Sequence, residues 1–146
     1  MNGYHIVTVE QRHSAVVRST VAFADLPSAQ RSARAKIAEA MRQLAIEPSG
    51  DRFTLCRMPH EGRIPLEPGV IVSMPIVATG DVIPSELPAG RAVHFRLIGP
   101  YEQLPQAWPA LFGWCGREGL KLEGRFWEVY DRQDADPRDQ QTQLFA

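Results

Sequence analysis

Apolar residues follow two different rhythms along this chain. Residues 4–9 and 15–23 are rich in β-branched and aromatic side chains, and the polar EQRHS between them predicts two strands joined as an opening hairpin. The period then changes. Ala29, Ala33, Ile37, Met41 and Leu44 recur every three or four residues, while Arg31, Arg34, Glu39 and Arg42 fall on other faces. This pattern predicts an amphipathic helix over residues 28–46, with Ser28 as N-cap and Pro48-Ser49-Gly50 as the stop. Strands are predicted at 53–58 and 70–77, separated by the loop-like PHEGRIPLEPG; Pro75 would place the second at an edge or bulge. GDVIPSELPAG reads as a polar connection.

The second half has a strand at 91–98, then a helix marked by Leu104, Trp108, Leu111 and Cys115. Pro105 suits a first turn, whereas Pro109 predicts a kink or a start near Trp108. Further strands are expected at 125–131 and from Gln143 to Phe145. Strand, helix, strand, strand thus occurs twice, over about residues 15–77 and 91–146. The expectation is one α+β domain spanning 1–146: two such units form an antiparallel sheet with two helices and a central ligand cleft between them. Aligning RFTL with RFWE sets Leu55 and Glu128 at matching places.

Composition narrows the function. With 146 residues, 44% hydrophobic and 23% charged, the chain suits one sizeable core. A formal charge of −1 with scattered basic residues speaks against direct nucleic-acid binding. No segment approaches the apolar length of a membrane span. Cys56 and Cys115 both lie in apolar segments, as small buried thiols would, and a reducing, cytoplasmic setting is expected. His5, His13, His60 and His94 lack close metal-ligand spacing, and neither GxSxG nor GxxxxGK[ST] occurs, so no metal, cofactor or phosphate loop is expected.

The strand GRFWEVYDR carries the most informative carboxylate. Alternation sets Phe126, Glu128 and Tyr130 on one face and Trp127, Val129 and Asp131 on the other. A carboxylate between two aromatics is protonated, hydrogen-bonded or paired with a cation, and a ligand amine would meet that need. The alternative is an exposed Glu128 paired with an arginine such as Arg96. Tyr101, Trp108 and Trp114 are candidates for the cleft wall, with one of the two tryptophans expected in the core; Tyr4, Met58 and His94 could also reach it.

The strand after Leu87-Pro88-Ala89-Gly90, the Gly99-Pro100-Tyr101 turn, the helix with Trp108, Leu111 and Trp114, and the Trp127-Glu128-Val129-Tyr130 strand together resemble the gyrase-inhibitor-like (GyrI-like) small-molecule-binding family. That family includes effector-binding domains of multidrug-sensing and AraC-type bacterial transcription regulators. The resemblance implies an SHS2-like fold whose ligand-contacting glutamate falls on Glu128, with Tyr101 and Trp108 beside it. The implied function is binding of an aromatic or cationic small molecule, with Phe126 and Tyr130 completing the walls. The alternative is a hydrolase of strained electrophiles in which Glu128 is catalytic. No helix-turn-helix fits before Tyr4 or after Ala146, so a regulatory role would call for a partner; gyrase protection is a third possibility.

Overall fold

The computed structural model describes residues 3–132 and 136–146. Among these described residues, nine strands and two α-helices follow one another as β1 (His5–Val9), β2 (Arg12–Val16), β3 (Ser19–Ala22), α1 (Leu26–Leu44), β4 (Arg52–Arg57), β5 (Arg63–Ile71), β6 (Ile83–Leu87), β7 (Gly90–Ile98), α2 (Leu104–Arg117), β8 (Arg125–Arg132) and β9 (Gln141–Phe145). They form one α+β fold built on a strongly curled antiparallel sheet, in the order β1-β7-β9-β8-β4-β5-β2-β6, with β3 also on β5.

Both faces of the sheet are buried, and alternation divides them. Ala15, Val17, Val70 and Val72 pack under α1 through Ala33, Ile37, Ala40 and Met41. Val93, Leu97, Phe126 and Leu144 pack under α2 through Trp108, Leu111 and Cys115. The intervening residues Val16, Phe53, Leu55, Ile71 and Trp127 point the other way and meet one another inside the curl. Burying apolar side chains on both sides, at about 1.5 to 3 kcal/mol each, is what holds a sheet this bent.

Several expectations are corrected here. The opening hairpin does not form, because β1 pairs with β7 and β2 with β5 and β6. Val9 faces Gly90 and Arg12 faces Leu87 without a register slip, so β1–β2 and β6–β7 act as two long bent strands tying the ends of the sheet together. β5 begins at Arg63, inside the expected loop, and ends at Ile71, with Pro75 beyond it. Its prolines fall where a neighbouring ladder is interrupted: Pro68 pairs with Thr54 of β4 opposite the break between β2 and β3, and Pro65 pairs with Thr20 of β3 beyond the end of the β4 register. GDVIPSELPAG likewise contains β6, whose Pro84 faces Ala15. The first helix begins at Leu26 after a short turn, with Asp25 at its N-cap; the Ser28 hydroxyl donates to the Asp25 carbonyl at 3.0 Å. The second helix runs unbroken from Leu104 through Pro109, whose missing donor lies on an exposed face.

Candidate functional site

β4 and β8 lie side by side at the centre of the sheet, and their register builds the site. Arg52 faces Tyr130, Thr54 faces Glu128, and Cys56 faces Phe126, so all six side chains share one face. That face lies between α1 and α2 and opens into a groove of about 1000 Å³. The predicted residues Tyr101, Trp108, Phe126, Glu128 and Tyr130 all line it. Leu55 is not the counterpart of Glu128, since it faces Trp127 and lies on the opposite side of the sheet. Nor does Arg96 pair with Glu128, because β9 separates β7 from β8.

Local geometry explains each placement. Gly99 adopts a φ of +140°, which a side chain would strain, and turns the chain from β7 into Pro100 and a short 3-10 turn beginning at Tyr101. α2 then presents Leu104, Trp108, Leu111 and Cys115 along one stripe. Leu111 and Cys115 are fully covered, whereas Trp108 sits at the groove and packs edge-on against Phe126 at 4.8 Å between centroids. Trp114 lies off the groove, partly buried and stacked on Tyr4 at 5.0 Å; of the two tryptophans Trp108 is the more buried, so the expected separation into a core and a wall tryptophan is not seen. Met58 reaches the groove. Tyr4 and His94 do not; His94 hydrogen-bonds Gln143 instead.

Glu128 is the centre of a one-way hydrogen-bond network. Trp108 Nε1 donates to its Oε2 at 2.7 Å, and the Tyr130 hydroxyl donates to its Oε1 at 2.7 Å. Tyr130 in turn accepts from Thr54 Oγ1 at 2.8 Å, and Thr54 accepts from Gln30 at 2.9 Å and Arg34 at 3.2 Å. Burial pushes the Glu128 carboxyl above its ordinary value, and the bonds from Trp108 and Tyr130 and the charge of Arg34 pull it back. Burial and the neighbouring Glu128 together hold Tyr130 well above the normal phenol range. Cys56 is pushed up to about 12 by burial, then by Glu128, and is an inert thiol.

The buried carboxylate of Glu67 offers a contrast. Glu67, on the opposite face, is held by Arg57 at 3.0 Å and Arg18 at 3.3 Å. Glu128 receives only neutral donors and makes no ion pair among the described residues. Its charge is thus available to something entering the groove.

The N-terminal half adds groups that sequence reasoning passed over. Arg34, expected on an exposed face, is half-buried: it donates to the carbonyls of Gly69 and Phe53, both at 2.6 Å, and its guanidinium lies 5.8 Å from the Tyr130 ring centroid. Gln30 and Arg34 are four residues apart, one turn of helix, and that spacing beside the apolar stripe was the available signal. Arg52 lines the groove as well. Among the described residues no cluster could hold a metal, and no helix is long and apolar enough to cross a membrane.

Trp108→Phe tests the network. It removes one donor that holds the carboxyl down while keeping an aromatic wall, so Glu128 should titrate at a higher pH than in the wild type. Carbon-detected NMR of the labelled carboxyl would read it, and an unmoved Glu128 titration would contradict the role given to Trp108.

An α+β fold with a deep, aromatic, carboxylate-bearing groove between two helices is the architecture of a small-molecule-binding domain. Residues 3–144 match the family model described as the GyrI-like small-molecule-binding domain, and the chain belongs to that family. No curated protein matches it by sequence. Among solved structures it is similar to the C-terminal domain of EcmrR, with a TM-score of 0.82 and 19% identity over 97% of this chain and 94% of that one. It is also similar to SAV2435 bound to tetraphenylphosphonium, with a TM-score of 0.72 and 12% identity over 97% and 91%. A hydrolase from Listeria innocua is more distant, at a TM-score of 0.61 and 13% identity over 99% and 90%.

Proposed function

We propose that this protein is an effector-binding domain that captures hydrophobic aromatic cations, with Glu128 as counter-charge and Tyr101, Trp108, Phe126 and Tyr130 as walls. The observation that carries this reading is a partly buried carboxylate with neutral donors and, among the described residues, no ion pair, set on the floor of a groove of about 1000 Å³. Aromatic walls add cation–π attraction of about 0.5 to 2 kcal/mol. The free cysteines Cys56 and Cys115 agree with a cytoplasmic setting. The sheet order β7-β9-β8 beside β4-β5-β2 supports two duplicated units facing each other across the site.

Calorimetry with tetraphenylphosphonium and the neutral triphenylphosphine oxide tests the reading. The cation should bind at least about tenfold more tightly, a difference of 1.4 kcal/mol. Equal affinities would refute the counter-charge.

A second reading draws on the Tyr130–Glu128 bond of 2.7 Å, which sets a carboxylate beside a phenol that could assist hydrolysis of a strained electrophile. Here Glu128 would take a proton from the attacking water. Mass spectrometry separates the two: a binding domain returns its ligand unchanged, whereas a hydrolase releases many equivalents of the water adduct and loses that turnover in Glu128→Gln.

A further inference from the structure

The groove carries two guanidinium groups and one carboxylate. Arg34, Arg52 and Glu128 line it together, so among the described residues its formal charge is positive even with Glu128 ionised. A simple cation would satisfy Glu128 and leave that excess. The two arginines are not equivalent. Arg34 is committed to the carbonyls of Phe53 and Gly69 and to Thr54. The Arg52 guanidinium makes no hydrogen bond or ion pair among the described residues; the residue is exposed and lies directly across from Tyr130, two positions along the strand from Glu128. That offset corresponds to about 7 Å along the strand.

Tyr101 supplies the other half of the observation. Its ring meets Tyr130 edge-on at 5.7 Å, on the groove wall. Its hydroxyl is buried and has no hydrogen-bond partner among the described residues. Such a group is costly, and native structures rarely keep one without a use. Cation capture leaves it idle, because a cation offers the hydroxyl no acceptor and among the described residues no protein group accepts from it.

We propose that the groove selects zwitterionic aromatic ligands, with the cationic end on Glu128 and a carboxylate or similar anionic oxygen group held by the Arg52 guanidinium and the Tyr101 hydroxyl. This rests on the reading of Glu128 as counter-charge and adds a second pole to it. A bidentate guanidinium–carboxylate contact supplemented by a phenol is a geometry that arginine favours. The ligand's own charges then neutralise both ends of the groove.

Rhodamine B, with its free carboxylate, and its ethyl ester share one aromatic cation and differ at the predicted pole. Fluorescence anisotropy at neutral pH should show the acid binding at least about tenfold more tightly than the ester. Arg52→Gln should reduce that ratio to within about twofold by weakening the acid itself several-fold, while the ester, which loses only a like-charge neighbour, should bind no more weakly than before. Tyr101→Phe should weaken the acid several-fold without lowering the melting temperature, since it deletes a hydroxyl that has no partner to lose. An ester that binds as tightly as the acid, an acid that does not bind, or an Arg52→Gln variant that weakens both dyes equally would overturn the proposal. Dependence of the ester on Glu128 reports the counter-charge separately: an ester unaffected by Glu128→Gln refutes that underlying reading, whatever the acid-to-ester ratio.

Discussion

Glu128→Gln is expected to weaken tetraphenylphosphonium binding by about 30- to 100-fold at pH 7.5, equivalent to about 2 to 3 kcal/mol for removing a desolvated charge opposite a cation. Triphenylphosphine oxide, of similar shape and no net charge, should lose less than about twofold. The fold should survive, because the glutamine carbonyl can still accept from Trp108 or Tyr130, which now donate at 2.7 Å each. Stability carries a second signature. Burial raises the Glu128 carboxyl above its ordinary 4.5, so the folded state binds more protons than the unfolded one between those two values. Stability therefore falls as pH rises through that window, and above it the ionised side chain is a net cost to the fold. The glutamine variant lacks this slope. Denaturation at several pH values should show the wild type losing ground to the variant as pH rises, and parallel curves would contradict it. A bound cation favours the ionised form, so affinity should decline on acidification through the ligand-free titration.

What the sequence made legible was mostly local. Phe126, Glu128 and Tyr130 share a face because a strand alternates, and the stripe through Trp108 and Leu111 marks α2 because a helix repeats every three or four residues. Pairing across the sheet is a long-range property, and there local reasoning failed. Residues 4–9 and 15–23 look like a hairpin, yet the first pairs with β7, more than eighty positions away, and the second with β5 and β6, some forty to seventy positions away. Pro65, Pro68 and Pro84 disguised β5 and β6 as loops, since a proline's missing donor is harmless only where a neighbouring strand happens to be absent. Arg34 was missed for a related reason. A charge beside a buried stripe is normally solvated, and only the carbonyls of Phe53 and Gly69, brought together by β4–β5 pairing, make its burial favourable.

That same pair of carbonyls makes Gly69 the most sensitive backbone position near the site. Gly69 lies within β5 between Phe53 and the β2 strand, and a methyl group there would stand 2.6 Å from Phe53 Cζ, 2.7 Å from Val16 Cγ1 and 2.8 Å from the Ala15 carbonyl oxygen. The ring could swing aside; the backbone oxygen cannot. Gly69→Ala should therefore destabilise the domain by about 3 kcal/mol, lowering the melting temperature by roughly 10 °C. Gly62→Ala is the control, because its φ of +75° brings conformational strain while the space around it is open. It should cost only about 1 kcal/mol. The function should respond differently to the two. Any shift of β5 at Gly69 moves a carbonyl bonded to Arg34 at 2.6 Å, and Arg34 anchors Thr54 and, through it, Tyr130 and Glu128. Gly69→Ala, assayed well below its own melting point, should thus weaken cation binding several-fold, whereas Gly62→Ala should leave it unchanged. Equal binding by both folded variants would show that the groove floor tolerates movement of β5 and that Arg34 does not transmit it.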